Sequence, residues 1–107
     1  MLFNNGKFLI YASSQHTRLE TVRTAVAKVA ETLKLSLEVA HTKKALPIYV
    51  YYRSDRCREE IPVYSDWGKD GSEEDVYDAI KSVMYVLSFH PKHSALQTVR
   101  KEICILS

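Results

Sequence analysis

A chain of 107 residues has the size of one domain, and with 46% hydrophobic and 26% charged residues it is too apolar for a disordered segment. A core can form at this length without metal or disulfide support, and no apolar run of about 18 residues is present to cross a membrane. The net charge is only +2, but ten Lys/Arg face four Asp/Glu in residues 1–58 and five face nine in residues 59–107, so either the surface is dipolar or the two halves pair across the fold.

The first residues carry no basic region running into an apolar stretch and a cleavage site, so a cytoplasmic chain is expected. Residues 7–13 (KFLIYAS) are a short apolar run and read as a first strand. Thr17 and Glu20 have the spacing of a capping box, in which hydroxyl and carboxylate satisfy each other's backbone amides. Leu19, Val22, Val26, Val29 and Leu33 then recur on one stripe. This spacing predicts a helix over 17–34, with Arg18, Arg23, Lys28, Glu31 and Lys34 mostly off the stripe. Residues 36–42 (SLEVAHT) alternate, with Leu37, Val39 and His41 on one side, as in a half-buried strand.

After a short connection through Pro47 comes a tyrosine-rich hairpin. Its outward strand is residues 48–53 (IYVYYR), its turn 54–58, and its return 60–67 (EIPVYSDW). Pro62 cannot donate to a neighbour, so the return strand belongs at a sheet edge. Residues 69–71 read as a turn. Ser72 and Asp75 repeat the capping spacing, and Glu73, Glu74 and Asp75 fall in a first turn, where they complement the helix dipole. Val76, Ile80, Val83, Met84 and Leu87 form the buried stripe of a helix over 73–89, which Pro91 ends. A shorter helix over 94–102 follows, with Leu96 and Val99 inward, and residues 103–106 extend it or form a terminal strand.

No repeat, linker or low-complexity segment interrupts the chain, so residues 1–107 read as a single α+β domain. The order β-α-β-β-β-α-α predicts a two-layer sandwich. Consecutive strands with short connections favour a four-stranded, mainly antiparallel sheet with the helices packed on one face.

The hairpin has two different faces. Ile48, Val50 and Tyr52 alternate with Tyr49, Tyr51 and Arg53; Ile61 and Val63 pair with the first set and Tyr64 with the second. The aliphatic set is expected to meet the helices. The other face then presents Tyr49, Tyr51, Tyr64 and Arg53, and planar side chains beside a guanidinium on an open sheet stack bases and bind phosphate. Lys43, Lys44, Arg56 and Arg58 flank this face in the turns and supply further phosphate contacts. The competing account is that tyrosine simply suits strands, and that the last helix or a second subunit covers the face.

The remaining reactive residues form weaker patterns. Cys57 lies between Arg56 and Arg58, a setting that favours the thiolate, although a plain surface thiol fits as well; Cys104 reads as a buried hydrophobe. His90 and His93 are three residues apart, but Pro91 breaks any helix between them and no third ligand is evident, so no metal is expected. His16 and His41 read as surface or sheet-end residues. Gly6, Gly68 and Gly71 are the only glycines, which leaves no phosphate-binding loop and no cofactor signal.

Two family resemblances follow from these residues. Lys7-Phe8-Leu9-Ile10-Tyr11-Ala12-Ser13-Ser14 before a helix, then Leu46-Pro47-Ile48-Tyr49-Val50-Tyr51 with a hairpin and helix, resemble the thioredoxin-like pattern over roughly residues 7–88. Pro47 matches the place of that family's cis-proline. Gln15-His16-Thr17-Arg18 stands where its redox cysteines belong, and a short connection replaces its helix between the second and third strands. The resemblance thus implies the fold without redox activity. Val63-Tyr64-Ser65-Asp66-Trp67 leading to Val76-Tyr77-Asp78-Ala79-Ile80-Lys81 is similar in pattern to bacterial ribonuclease toxins of the RelE type. Those toxins carry basic residues and a tyrosine on the sheet and final helix, which puts forward Arg53, Arg58 and Tyr77.

The residues themselves favour a non-enzymatic binding module that uses the tyrosine face. Nucleic acid is the first expected ligand, a protein partner or second copy the next, and an RNA-cleaving enzyme the third.

Overall fold

A computed structural model of the protein describes residues 6–43, 47–54, 59–68 and 71–89. The elements run in the order β1 (Lys7–Ala12), α1 (Leu19–Leu33), β2 (Ser36–His41), β3 (Ile48–Arg53), β4 (Ile61–Asp66) and α2 (Glu73–Leu87). Each lies within the bounds that the sequence pattern predicts. The expected helix over 94–102 and the terminal segment after it fall outside the described residues.

The strands form one sheet in the order β2-β1-β3-β4. β1 and β2 are parallel, β3 is antiparallel to β1, and β4 is antiparallel to β3. The sheet is therefore mixed, which corrects the expectation of a mainly antiparallel one. The cause is α1: a helical crossover returns the chain to the end where it began, so the next strand must run parallel. The connection over 42–47 does not pair β2 with β3 either, because β1 lies between them.

Strand alternation sends Phe8, Ile10 and Ala12 of β1 and Ile48, Val50 and Tyr52 of β3 toward the helices, and all are fully buried. Phe8 and Tyr52 meet edge to face at 6.1 Å. From α1, Leu19, Val22, Val26, Val29 and Leu33 enter the same core, and from α2, Val76, Ile80 and Met84. α1 packs on β1 and β2, while α2 packs on β4 and on α1. Both helices thus lie on one face of the sheet, as the two-layer expectation requires. Among the described residues no helix is long and apolar enough to cross a membrane.

The helix ends differ from one another. At α2 the capping box forms: Ser72 Oγ accepts from the Asp75 amide at 3.1 Å, and Asp75 Oδ2 accepts from the Ser72 amide at 3.1 Å. Such a cap contributes about 1 kcal/mol. At α1 the expected Thr17–Glu20 box is absent. Arg18 is the N-cap and makes no side-chain cap bond. The Arg18 amide donates instead to His16 Nδ1 at 3.1 Å, and the Leu19 amide to the His16 carbonyl at 3.1 Å. Glu20 is drawn into an ion pair with Arg23 one turn on. At its other end Lys34 adopts a left-handed conformation (φ 59°), and the Leu35 amide closes onto the Ala30 carbonyl at 2.8 Å.

Gly6 leads into β1 with φ +127°, and a Cβ there would lie 2.4 Å from the Arg53 carbonyl oxygen and 2.9 Å from Ser54 Cα. Both atoms are backbone, so neither swings aside. Gly6→Ala is expected to destabilise the fold by at least about 1–3 kcal/mol. The measurement is the shift of the urea unfolding midpoint; an unchanged midpoint contradicts this close approach.

Candidate ligand-binding face of the sheet

The same alternation that buries Val50 and Tyr52 turns Tyr49, Tyr51 and Arg53 away from the helices. Cross-strand partners share a face, so β1 adds Tyr11 opposite Tyr49, Leu9 opposite Tyr51 and Lys7 opposite Arg53. β2 adds Glu38 and Ala40, and β4 adds Pro62 and Ser65. Neither α1 nor α2 lies on this side.

Here the tyrosines brace one another. Tyr11 and Tyr51 meet at 5.5 Å with their planes 75° apart, and Tyr49 and Tyr51 at 6.2 Å and 41°. The first is an edge-on contact and the second a tilted one; aromatic pairs of this kind contribute about 0.5–1.5 kcal/mol beyond burial. Leu9 packs beneath at 5% exposure. Lys7 Nζ donates to Glu38 Oε1 at 2.8 Å, and this bond holds the Glu38 carboxyl below its usual range.

At one end of the face lies a pocket of about 650 Å³, lined by Tyr11, Thr42, Lys43, Pro47, Tyr49, Tyr51 and Glu60. The Tyr11 hydroxyl donates to the Glu60 carboxylate, at 3.2 Å to Oε1 and 3.3 Å to Oε2. Burial, and then this carboxylate, push the Tyr11 hydroxyl above its ordinary pKa.

The structure thus brings together Tyr49, Tyr51 and Arg53, and places Lys43 in the pocket beside them. Tyr64 does not join them. It stands opposite Val50, on the face the helices cover, and its hydroxyl donates to Asp66. The cause is a bulge. Tyr52 pairs with Ile61 and Tyr51 with Pro62, a register that if continued would set Tyr64 against Tyr49. The pairing instead skips Val63, and one extra residue turns every later side chain to the opposite face. The exposed Pro62 and the bulge lie on an edge strand, as the proline predicts. Lys44, Arg56, Arg58 and Cys57 fall outside the described residues. Of the set suggested by the ribonuclease resemblance, Arg53 is on the tyrosine face and Tyr77 is on α2, packed against the core under Lys81. The sheet separates the two.

On the helix side, Tyr64 belongs to a compact polar cluster. Arg18 Nε reaches both oxygens of Asp66 at 2.9 Å, Tyr64 Oη donates to Oδ2 at 2.9 Å, and the Gly68 amide donates to Oδ1 at 2.9 Å. Asp66 is 3% exposed. Burial pushes its carboxyl up, but the Gly68 amide, Arg18 and Tyr64 outweigh this and leave it below the ordinary range. Burial and the Asp66 carboxylate push Tyr64 up to about 12. Among the described residues, Arg18 Nη2 and His16 Nε2 are buried and meet no hydrogen-bond partner. The cluster ties the start of α1 to the end of β4, and Lys28 pairs with Glu73 between α1 and α2. The uneven charge of the two halves is therefore answered in part by pairing across the fold.

Among the described residues no group of three or more His, Cys, Asp and Glu is placed to hold a metal ion. Comparison of the chain with family models, characterised proteins and solved structures gave no match.

Sequence reasoning missed Tyr11 and Glu60. Tyr11 was legible in principle, since Lys7, Leu9 and Tyr11 alternate within a strand that reads as an apolar run. Glu60 carries no sequence signal. It precedes β4 and meets Tyr11 only because β3 separates the two strands by one sheet position.

Asp66→Ala is expected to cost about 3–5 kcal/mol, because it strands a mostly buried guanidinium. The Asp66 pKa is lowered on folding, so its contribution is present above the unfolded value near ~3.9 and is lost as pH falls through the lower folded value. Tyr64 has the opposite sign: its contribution is present below the unfolded value near ~10 and is lost as pH rises toward about 12. Urea midpoints across pH check the first effect. Phenolate absorbance checks the second, where Tyr64→Phe should remove one late-titrating group.

Proposed function

We propose that this protein is a non-enzymatic binding module that takes single-stranded nucleic acid on its tyrosine face. The observation that carries the reading is the grouping of Tyr11, Tyr49 and Tyr51, each partly exposed, on the sheet face opposite α1 and α2, with Arg53 in the same strand as Tyr49 and Tyr51 and Lys43 at the pocket. Every base has an aromatic face to offer such rings, and the two cations suit phosphates on either side.

The charges on the face set a limit on this reading. Lys7 is already paired with Glu38, so Arg53 and Lys43 are the described cations left for phosphate contacts. About two contacts give a shallow dependence of log K on log salt, with a slope of roughly −1.4 for a single strand. Most of the affinity then comes from stacking.

A second reading is a protein-interaction or dimerisation surface. It is favoured by Glu38 and Glu60, whose carboxylates on the face oppose a polyanion and suit a partner of mixed charge. Tyrosine-rich, half-buried patches are common at such interfaces.

Fluorescence titration with single-stranded RNA and DNA at two salt concentrations separates the readings. Tyr51→Ala is expected to weaken nucleic-acid binding by about 1–3 kcal/mol. Absence of binding at low salt, together with a dimer mass in light scattering that Tyr51→Asp abolishes, turns the assignment to the second reading.

A further inference from the structure

We propose that the pocket beside Tyr11, Tyr49 and Tyr51 selects guanine, with Glu60 reading the base and Lys43 taking a phosphate. This deepens, and rests on, the nucleic-acid reading of the tyrosine face. The pocket's volume of about 650 Å³ lies inside the range of about 300–1,000 Å³ typical of small-ligand sites. Its walls are mostly tyrosine rings and Pro47, with two opposite charges at Glu60 and Lys43.

The chemistry of Glu60 decides which base fits. An ionised carboxylate is an acceptor only, with about four lone-pair positions on two oxygens. Tyr11 donates one proton, shared at 3.2 and 3.3 Å between the two oxygens. That bond orients the carboxylate at the pocket wall and leaves lone pairs on both oxygens for a ligand. Guanine alone among the common bases offers two adjacent N–H donors on its Watson–Crick edge, at N1 and N2. Adenine and cytosine each set a ring-nitrogen acceptor beside their amino group, and uracil places carbonyls on both sides of N3. Each of these brings an acceptor against a carboxylate, which leaves charge unmatched.

An arginine of a partner protein offers the same donor fork and also stacks on tyrosine. Lys43 argues for guanine instead, because it shares the pocket. A guanidinium there would meet the ammonium of Lys43, whereas a nucleotide presents a neutral base to Glu60 and an anionic phosphate to Lys43. The dipolar pocket matches a dipolar ligand.

The test uses the full chain and four fluorescein-labelled uridine heptanucleotides that differ only in a central G, A, C or U. The G probe should bind at least about tenfold more tightly than the others, the size of one good bidentate base contact. Glu60→Gln places an amide nitrogen where an acceptor stood and should remove the preference. Glu60 is exposed, so the variant's unfolding midpoint serves as the check that its fold is intact. Four equal affinities in the wild type overturn the guanine inference and leave the nucleic-acid reading standing. A preference that survives in Glu60→Gln overturns the role of Glu60. Failure of every probe to bind overturns both proposals, and an arginine-containing peptide that binds in their place assigns the pocket to a protein partner.

Discussion

The one-residue bulge at Val63 governs how this small sheet divides its labour. Before the bulge β4 presents Pro62 to the tyrosine side. After it, Tyr64 and Asp66 both face the helices, where Arg18 waits at the start of α1. Without the extra residue, Asp66 would point to the tyrosine face, and Arg18 would be left with no carboxylate to meet it. A mostly buried guanidinium without its counter-ion costs several kcal/mol. The bulge thus settles two matters at once. It secures the first turn of a helix that lacks a side-chain cap, and it leaves the face opposite the helices to Tyr11, Tyr49 and Tyr51 without the fourth tyrosine.

That exchange also distributes charge. The acidic second half of the chain supplies Asp66 to Arg18 and Glu73 to Lys28, both on the helix side. These contacts join elements distant in sequence, so they fix tertiary arrangement as well as neutralising charge. The inter-helix pair at Lys28 and Glu73 is exposed and is worth little by itself. The buried pair at Asp66 is different, since its carboxylate has three separate donors and almost no water. One pair therefore stiffens a surface, and the other specifies a structure.

The fold was legible in the sequence where side-chain period alone decides. Leu19 to Leu33, Val76 to Leu87, and the alternation of Ile48 to Arg53 each identified their element and its buried face. The Ser72–Asp75 cap was legible for the same local reason. Where two segments had to be compared, the sequence was less informative. Nothing in residues 36–42 says that they run parallel to β1 and not antiparallel to β3; the crossover through α1 dictates it. Thr17 and Glu20 have the right spacing for a cap, but His16 and Arg23 compete for the same groups. The candidate site shows the same division. Tyr49, Tyr51 and Arg53 followed from alternation within one strand. Tyr64 was misplaced because a bulge is a property of a strand pair, and Glu60 went unseen because its contact crosses a third strand.

The tyrosine face also carries an energetic argument about what kind of ligand it suits. Its rings stand on central strands, β1 and β3, each hydrogen-bonded on both sides. Their ring contacts and the buried Leu9 on the same face hold the orientation before any ligand arrives. A ligand that docks on such a surface orders few additional side chains, each of which would otherwise cost about 0.5–1.5 kcal/mol. The charges near the rings, by contrast, nearly cancel: Lys7 offsets Glu38, and Lys43 shares the pocket with Glu60. A surface built this way gains little from long-range attraction to a polyanion and much from flat contact with a preformed aromatic wall. On the proposed nucleic-acid reading, such a surface favours ligands that bring a planar group with hydrogen-bonding edges over ligands that bring charge alone, and specificity is then expected in the pocket at Glu60 instead of along the length of the face.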